Sequence, residues 1–374
     1  AMLGLIALIA HPIFSLGLSS VLGNFYYDGN NLKRKSEVIW TGLIINCISV
    51  LILLLISFLF QSEIATIAKI PKDYHYLVSI YIFSYSFTIL STCPLQKIIF
   101  ENQSGTYSKI TILTSLTSLF VSFISVWYFE LGAEGMVLGQ LFANSLCFSI
   151  SIFNIKNSLE FRYSNKLIMS MIKLCIPIII SNIFTFFLLH SNKYILEWNY
   201  GIDSVGLYSI GFNLGATISI VTGGISMAWY PFFMGYLDRQ SECRKIFGKI
   251  LTYYIFGAGF ICFLYFLFAK SIVMTLTSRD FHAAYITVGW IGLAFFGQTL
   301  SNFFKPGFYF KKELGYISLI QGFSSIFGVF INYILISKFG LLGAAIGLGL
   351  SNILMALFTY IWTIFRKKEY PIIN

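Results

Sequence analysis

The chain has 374 residues and a formal net charge of +10, yet only 11% of its residues are charged while 57% are hydrophobic and 18% aromatic. Soluble domains carry about 25% charged residues, and the mean hydropathy here is +0.79, so water is excluded as the main solvent. The excess of base would suit nucleic acid in a soluble protein; here topology accounts for it, and no nucleic-acid partner is expected.

Crossing the roughly 30 Å hydrocarbon core takes about 20 apolar residues, and a charge at its centre costs roughly 2.5–3.5 kcal/mol. Eleven stretches free of Asp, Glu, Lys and Arg meet that requirement, at approximately 3–24, 39–60, 76–95, 110–129, 135–154, 174–192, 205–228, 250–269, 284–304, 314–336 and 343–365. They are continuously apolar and too long for alternating barrel strands, so helices are predicted. The fold class is therefore all-α, a polytopic transmembrane helix bundle. The chain starts directly at a span with Ala1 and Met2, which implies that a preceding helix is missing and that the intact protein has twelve.

In chain order, the first span carries His11 and Pro12, and a basic cluster, Lys33, Arg34 and Lys35, follows it. With that cluster placed in the cytoplasm and the sides alternated at every span, 19 of the 25 Lys and Arg residues fall on the same side. Cytoplasmic loops retain Lys and Arg, so the count supports both the spans and a cytoplasmic C-terminus. Anionic membrane lipids are the expected partner of that basic surface. The six cysteines include no C-x-x-C pair, so no disulfide and no metal site is expected.

The fifth span is introduced by Gly132, Gly135 and Gly139 with Asn144 and Leu146 following; the eleventh is introduced by Gly340, Gly343 and Gly347 with Asn352 and Leu354 following. Each pair is 208 residues apart, with an even number of spans between, which predicts a parallel repeat and two pseudo-symmetric lobes, 1–165 and 166–374. Paired bundles of this kind enclose a substrate cavity in transporters.

Polar residues inside apolar spans belong on the bundle interior. In the sixth span Asn182, Thr185, Asn192 and Lys193 share one helical face, and Lys193 stands four residues before Glu197. Lys193 is either a cavity residue or a lysine snorkelling to the interface beside Tyr194, Trp198 and Tyr200. Ser209, Asn213 and Thr217 form a second stripe that either ties helices together or meets substrate. Pro12 and Pro177 are expected to kink their helices. No P-loop is present, so no ATP motor and no cofactor is expected, and no span holds Asp or Glu.

The segment Asn24-Phe25-Tyr26-Tyr27-Asp28, then Ile176-Pro177, Ser191-Asn192-Lys193-Tyr194-Ile195-Leu196 and Val205-Gly206-Leu207-Tyr208-Ser209, resembles in order the motifs of Wzx-type polysaccharide flippases. These belong to the multidrug/oligosaccharidyl-lipid/polysaccharide exporter superfamily. The family's arginine before Phe-Tyr is Asn24 here, and its Asp-Arg pair is Asn192-Lys193. The resemblance implies a non-enzymatic carrier of an undecaprenyl-pyrophosphate-linked oligosaccharide across the bacterial inner membrane for O-antigen or capsule synthesis. A polysaccharide polymerase and chain-length machinery would be partners. The polar residues within the spans and this resemblance together point to a substrate cavity formed by Lys193, Asn192, Asn182, Thr185, Asn213, Asn24 and His11. The alternative is a cation-coupled multidrug antiporter of the same superfamily, which would be expected to carry a carboxylate within a span.

Overall fold

The computed structural model describes residue 6 and residues 10–28, 31–67, 70–158, 160–236 and 240–366. Lys69, Arg239, Lys367 and Lys368 of the charge pattern, and most of residues 3–9 of the first predicted span, lie outside them. The helices are α1 (Leu18–Tyr26), α2 (Leu32–Leu59), α3 (Gln61–Ile67), α4 (Tyr76–Phe100), α5 (Ser104–Trp127), α6 (Gly132–Ser158), α7 (Asn165–Tyr200), α8 (Ile202–Ala216), α9 (Ser219–Met234), α10 (Gln240–Leu276), α11 (Tyr285–Phe303), α12 (Pro306–Phe310) and α13 (Leu314–Phe365). Among the described residues eight helices are long and apolar enough to cross a membrane, the 52-residue α13 counted as one, and α8 with α9, bent by 50°, adds a ninth when the pair is taken as a single span. The protein is a multi-pass, all-α membrane bundle. Its helices owe little to propensity; in lipid only internal hydrogen bonding satisfies the backbone.

The chain forms two compact units, Ala1–Ile179 and Ile180–Asn374. In the first, α4 packs on α2 and α6, and α6 packs on α5. On α5 only Ile110 and Ser125 are buried, whereas Phe120, Phe123 and Trp127 point outward. That apolar outer face would be an aggregation hazard in water and is the expected surface in lipid. Polar ties hold the interior: Asn46 is wholly buried and donates to the Ile89 carbonyl at 2.9 Å, and Asn144 donates to the Ser84 carbonyl at 3.3 Å.

The first predicted span is not one helix. Residues 10–14 are helical, and the chain then passes through Leu16 (φ 53°) and Gly17 (φ 59°) before α1 begins. Glycine takes the left-handed region without strain, but leucine does so at a cost. The carbonyl of Phe14 loses its helical partner here, because the Leu18 N–H donates to Ser15 instead. Ser49 of α2 supplies the missing donor at 2.7 Å. Pro12 lies within the helical stretch before the break, and α7 runs on through Pro177.

In the second unit α11 is central, packing on α8, α10 and α13. Its core joins Leu196, Tyr208, Ile291, Ile336, Ala344 and Leu348. The seventh predicted span breaks between α8 and α9, where the Thr217 hydroxyl and N–H both turn back to the Leu214 carbonyl, at 2.6 and 3.3 Å. Such side-chain back-bonding competes with the helical ladder.

The two glycine-spaced segments behave alike. Gly132 and Gly340 both have positive φ, 51° and 55°. Gly340 splits α13 into an antiparallel hairpin, as Gly132 turns the chain from α5 into α6. A Cβ at Gly343 would meet the Leu335 carbonyl, and one at Gly139 would meet Ser122 and lie 2.9 Å from the Ser118 carbonyl oxygen. Close backbone approach at small residues is the usual way membrane helices pack. The repeat in the sequence thus encodes the same hairpin twice.

Candidate functional site

The second unit brings together several predicted cavity residues. Asn192 is completely buried; its amide donates to the Tyr208 hydroxyl at 3.2 Å and to the Ala344 carbonyl at 3.0 Å. It thereby ties α7 to α8 and to the second half of α13. Its neighbour Lys193 is half-buried, with Nζ 5.5 Å from the centroid of the Phe212 ring on α8. The spacing to Glu197 does not produce an ion pair: no carboxylate among the described residues lies within 4.0 Å of Lys193, and the aromatic face is its partner. Thr185 is half-buried and donates to the Ser181 carbonyl at 3.0 Å, within its own helix. Asn182 is half-buried and Asn213 exposed, one residue from Phe212.

Tertiary packing adds what the spacing of α7 alone did not reveal. Buried oxygens or nitrogens of Ser191, Asn192, Gln321, Ser325 and Asn332 have no hydrogen-bond partner among the described residues. They follow α7 and one stripe of α13, with Gln321, Ser325 and Asn332 at helical spacing. That periodicity was the available signal. Such a seam of unsatisfied polar atoms is suited to water or to a polar ligand.

His11 and Asn24 belong to the first unit. His11 is exposed and its Nδ1 meets the Tyr85 hydroxyl. Asn24 is 1% exposed within the core, among other interactions of its own. Beside it, Tyr26 donates to Glu101 at 3.4 Å and Tyr27 to the Phe100 carbonyl at 3.1 Å. The Asn-Phe-Tyr-Tyr-Asp segment therefore docks onto the end of α4.

That end carries groups the sequence reading left among the loop charges. Lys97 is 2% exposed, its ammonium 3.1 Å from Glu101 and 3.4 Å from the Asn154 side-chain oxygen. The i,i+4 spacing of Lys97 and Glu101 was the legible sign. They border a cavity of about 550 Å³ whose lining also includes Gln103, Thr106, Lys109, Leu113 and Phe153. In the second unit, Lys305 donates to the Asn302 side-chain oxygen at 2.8 Å, the Asn302 amide donates to Ser226 at 3.3 Å, and the Trp229 indole donates to the Asn302 backbone carbonyl at 3.1 Å. Loss of water around its ammonium pushes Lys305 down to about 8. Outside the spans, the Arg162 guanidinium holds Glu160 below the usual carboxylate range, first through its hydrogen bond and then through its charge.

Among the described residues no group of three or more His, Cys, Asp or Glu could hold a metal ion. In the second unit the predicted cavity residues are neutral hydrogen-bonding groups beside the Lys193 ammonium, a chemistry suited to holding a polar or anionic molecule.

The fold is shared with solved transporters. A mutant of the Vibrio cholerae MATE transporter VcmN superposes with a TM-score of 0.83 at 12% identity, over 98% of this chain and 87% of that one. The same transporter in its bent form gives 0.80 at 12%, over 100% and 89%. An outward-facing multidrug resistance MATE family transporter of the MOP superfamily gives 0.77 at 14%, over 99% and 86%. No curated protein matches the chain. A sequence model described as polysaccharide biosynthesis protein matches residues 1–286, and the chain belongs to that family.

Proposed function

We propose that the protein is a flippase that moves an undecaprenyl-pyrophosphate-linked oligosaccharide across the bacterial inner membrane for surface polysaccharide synthesis. The observation that carries this reading is the pairing of a polysaccharide-biosynthesis sequence with a MATE transporter fold. Neither ATP hydrolysis nor covalent chemistry by this chain is part of the proposal.

The residues support it in kind. Sugars are held by neutral donors and acceptors, which Asn182, Thr185, Asn213 and the α7 to α13 seam supply. A pyrophosphate needs a cation that is not already neutralised, and Lys193 has an aromatic face for a neighbour instead of a carboxylate. In this reading the basic loops face the cytoplasm, the C-terminus lies inside, and substrate arrives from the cytoplasmic leaflet. Polymerase and chain-length machinery would act on the delivered unit.

The test is to delete the gene and follow the lipid-linked oligosaccharide by leaflet-selective labelling. Accumulation on the cytoplasmic leaflet with loss of surface polymer, both restored by the gene, is the expected result. Unchanged polymer together with raised sensitivity to cationic drugs would reject the flippase and establish the multidrug antiporter.

A further inference from the structure

The first turn of α2 places Lys33, Arg34 and Lys35 at the positive end of a 28-residue helix, with no acidic residue in that turn. Cations there oppose the helix dipole, which favours an anion at this end. The chain brings a further cation to the same place from more than 120 residues away: Ser36 donates to the Glu160 carbonyl, and the Ser164 N–H donates to the Thr41 hydroxyl at 3.3 Å. These bonds hold the 160–164 connection against α2 beside a cleft of about 510 Å³, lined by Asn31, Lys33, Arg34, Phe161, Arg162 and Tyr163 together with the carboxylate-bearing Glu37.

The charges in the cleft are incompletely balanced. Arg34 pairs with Glu37 at 2.9 Å and Arg162 with Glu160 at 2.8 Å, while no carboxylate among the described residues comes within 4.0 Å of the Lys33 ammonium. The walls are aromatic and outward-facing, Phe161 at 62% and Tyr163 at 56% exposure. Trp40 meets Phe161 edge-on at 5.0 Å between ring centroids, and its buried indole N–H has no acceptor among the described residues. Aromatic rings beside lysine and arginine at the end of a span are the composition of a headgroup-level site.

We infer that this cleft binds the phosphate of an anionic phospholipid headgroup, with Lys33, Arg34 and Arg162 as its cationic donors and Phe161 and Tyr163 along the glycerol and upper chain. The site lies wholly within the first unit and does not depend on what the protein transports.

The experiment uses the full chain purified in detergent, with thermal unfolding followed against added phosphatidylglycerol, phosphatidylcholine or inorganic phosphate. Phosphatidylglycerol is expected to raise the midpoint saturably and phosphatidylcholine to leave it unchanged. Lys33→Gln, which orphans no carboxylate, should weaken the apparent lipid affinity roughly fivefold, and Lys33→Gln with Arg162→Gln about 25-fold. Lys33→Arg should keep the wild-type affinity, and all variants should unfold at the wild-type temperature without lipid. Equal stabilisation by both lipids, or stabilisation untouched by the double substitution, would overturn the site. Saturation by inorganic phosphate in lipid-free detergent, with the same loss in the variants, would overturn the lipid as its ligand.

Discussion

The ammonium of Lys97 lies 3.1 Å from the carboxylate of Glu101, with the lysine side chain 2% exposed and the glutamate 29%. The two halves of this pair are therefore unequal. Glu101 also accepts from Gln103 at 3.0 Å and from Tyr26 at 3.4 Å and keeps access to water, whereas Lys97 is enclosed by protein.

Glu101→Gln should accordingly cost more than Lys97→Met. The first takes the carboxylate away from an enclosed cation that keeps the neutral Asn154 oxygen at 3.4 Å, worth about 3 kcal/mol of stability. The second leaves a hydrated carboxylate that retains other donors, worth about 1 kcal/mol. The double variant should recover most of the loss seen in Glu101→Gln alone. Thermal unfolding of the four proteins in detergent gives the cycle; equal losses from the two single substitutions would contradict the asymmetry.

The hairpin glycines make a second expectation. At Gly343 and Gly139 an added Cβ meets the backbone of the facing helix, at Leu335 and at Ser122 and Ser118, and backbone cannot rotate away. Gly343→Ala and Gly139→Ala should each destabilise by about 1–3 kcal/mol. Gly257 has open space around its Cβ position, so Gly257→Ala should be neutral or stabilising by up to about 1 kcal/mol. A drop in unfolding temperature for the first two and none for the third is the pattern that packing requires. Matching behaviour at Gly343 and Gly139 would also show that the repeat is energetic and not only sequential.

The apolar spans and this repeat were legible because each is written along the chain in its composition or at fixed spacing. The break at Leu16–Gly17 was not, since what makes it tolerable is Ser49, 35 residues from the Phe14 carbonyl it serves. Asn192 was read as facing a cavity by its helical position, yet its amide is taken up by Ala344, 152 residues away. Only the partner helix decides whether a polar residue on an interior face becomes a tie or a ligand. Lys193, adjacent in sequence, is placed differently because its long stem carries the charge past that tie to Phe212.

That placement yields a third prediction. A cation over an aromatic face gains about 0.5–2 kcal/mol, and the ring orients the ammonium without neutralising it. Lys193→Gln should lower transport by roughly two- to thirty-fold at unchanged membrane abundance, Lys193→Arg should retain most activity, and Phe212→Leu should lose activity with the double variant no worse than Lys193→Gln. Transport by Lys193→Gln at the wild-type rate would remove Lys193 from the substrate path and leave it as an interfacial lysine.

Lys305 adds a pH dependence whose sign can be worked out. Its ammonium is bound to the neutral Asn302, no carboxylate among the described residues lies within 4.0 Å, and loss of water lowers its pKa from 10.5 to about 8. Between those values the folded protein holds a neutral amine while the unfolded chain holds an ammonium, so unfolding takes up a proton and stability rises with pH across that window. Below about pH 8 both states are protonated and the penalty for enclosing the charge is present in full. Lys305→Met removes the titrating group, so it should raise the unfolding temperature at pH 7 relative to wild type and flatten the rise between pH 8 and 10. Unfolding temperatures measured across that range in detergent decide it, because parallel curves for the two proteins would mean that the Lys305 ammonium is hydrated in the folded state.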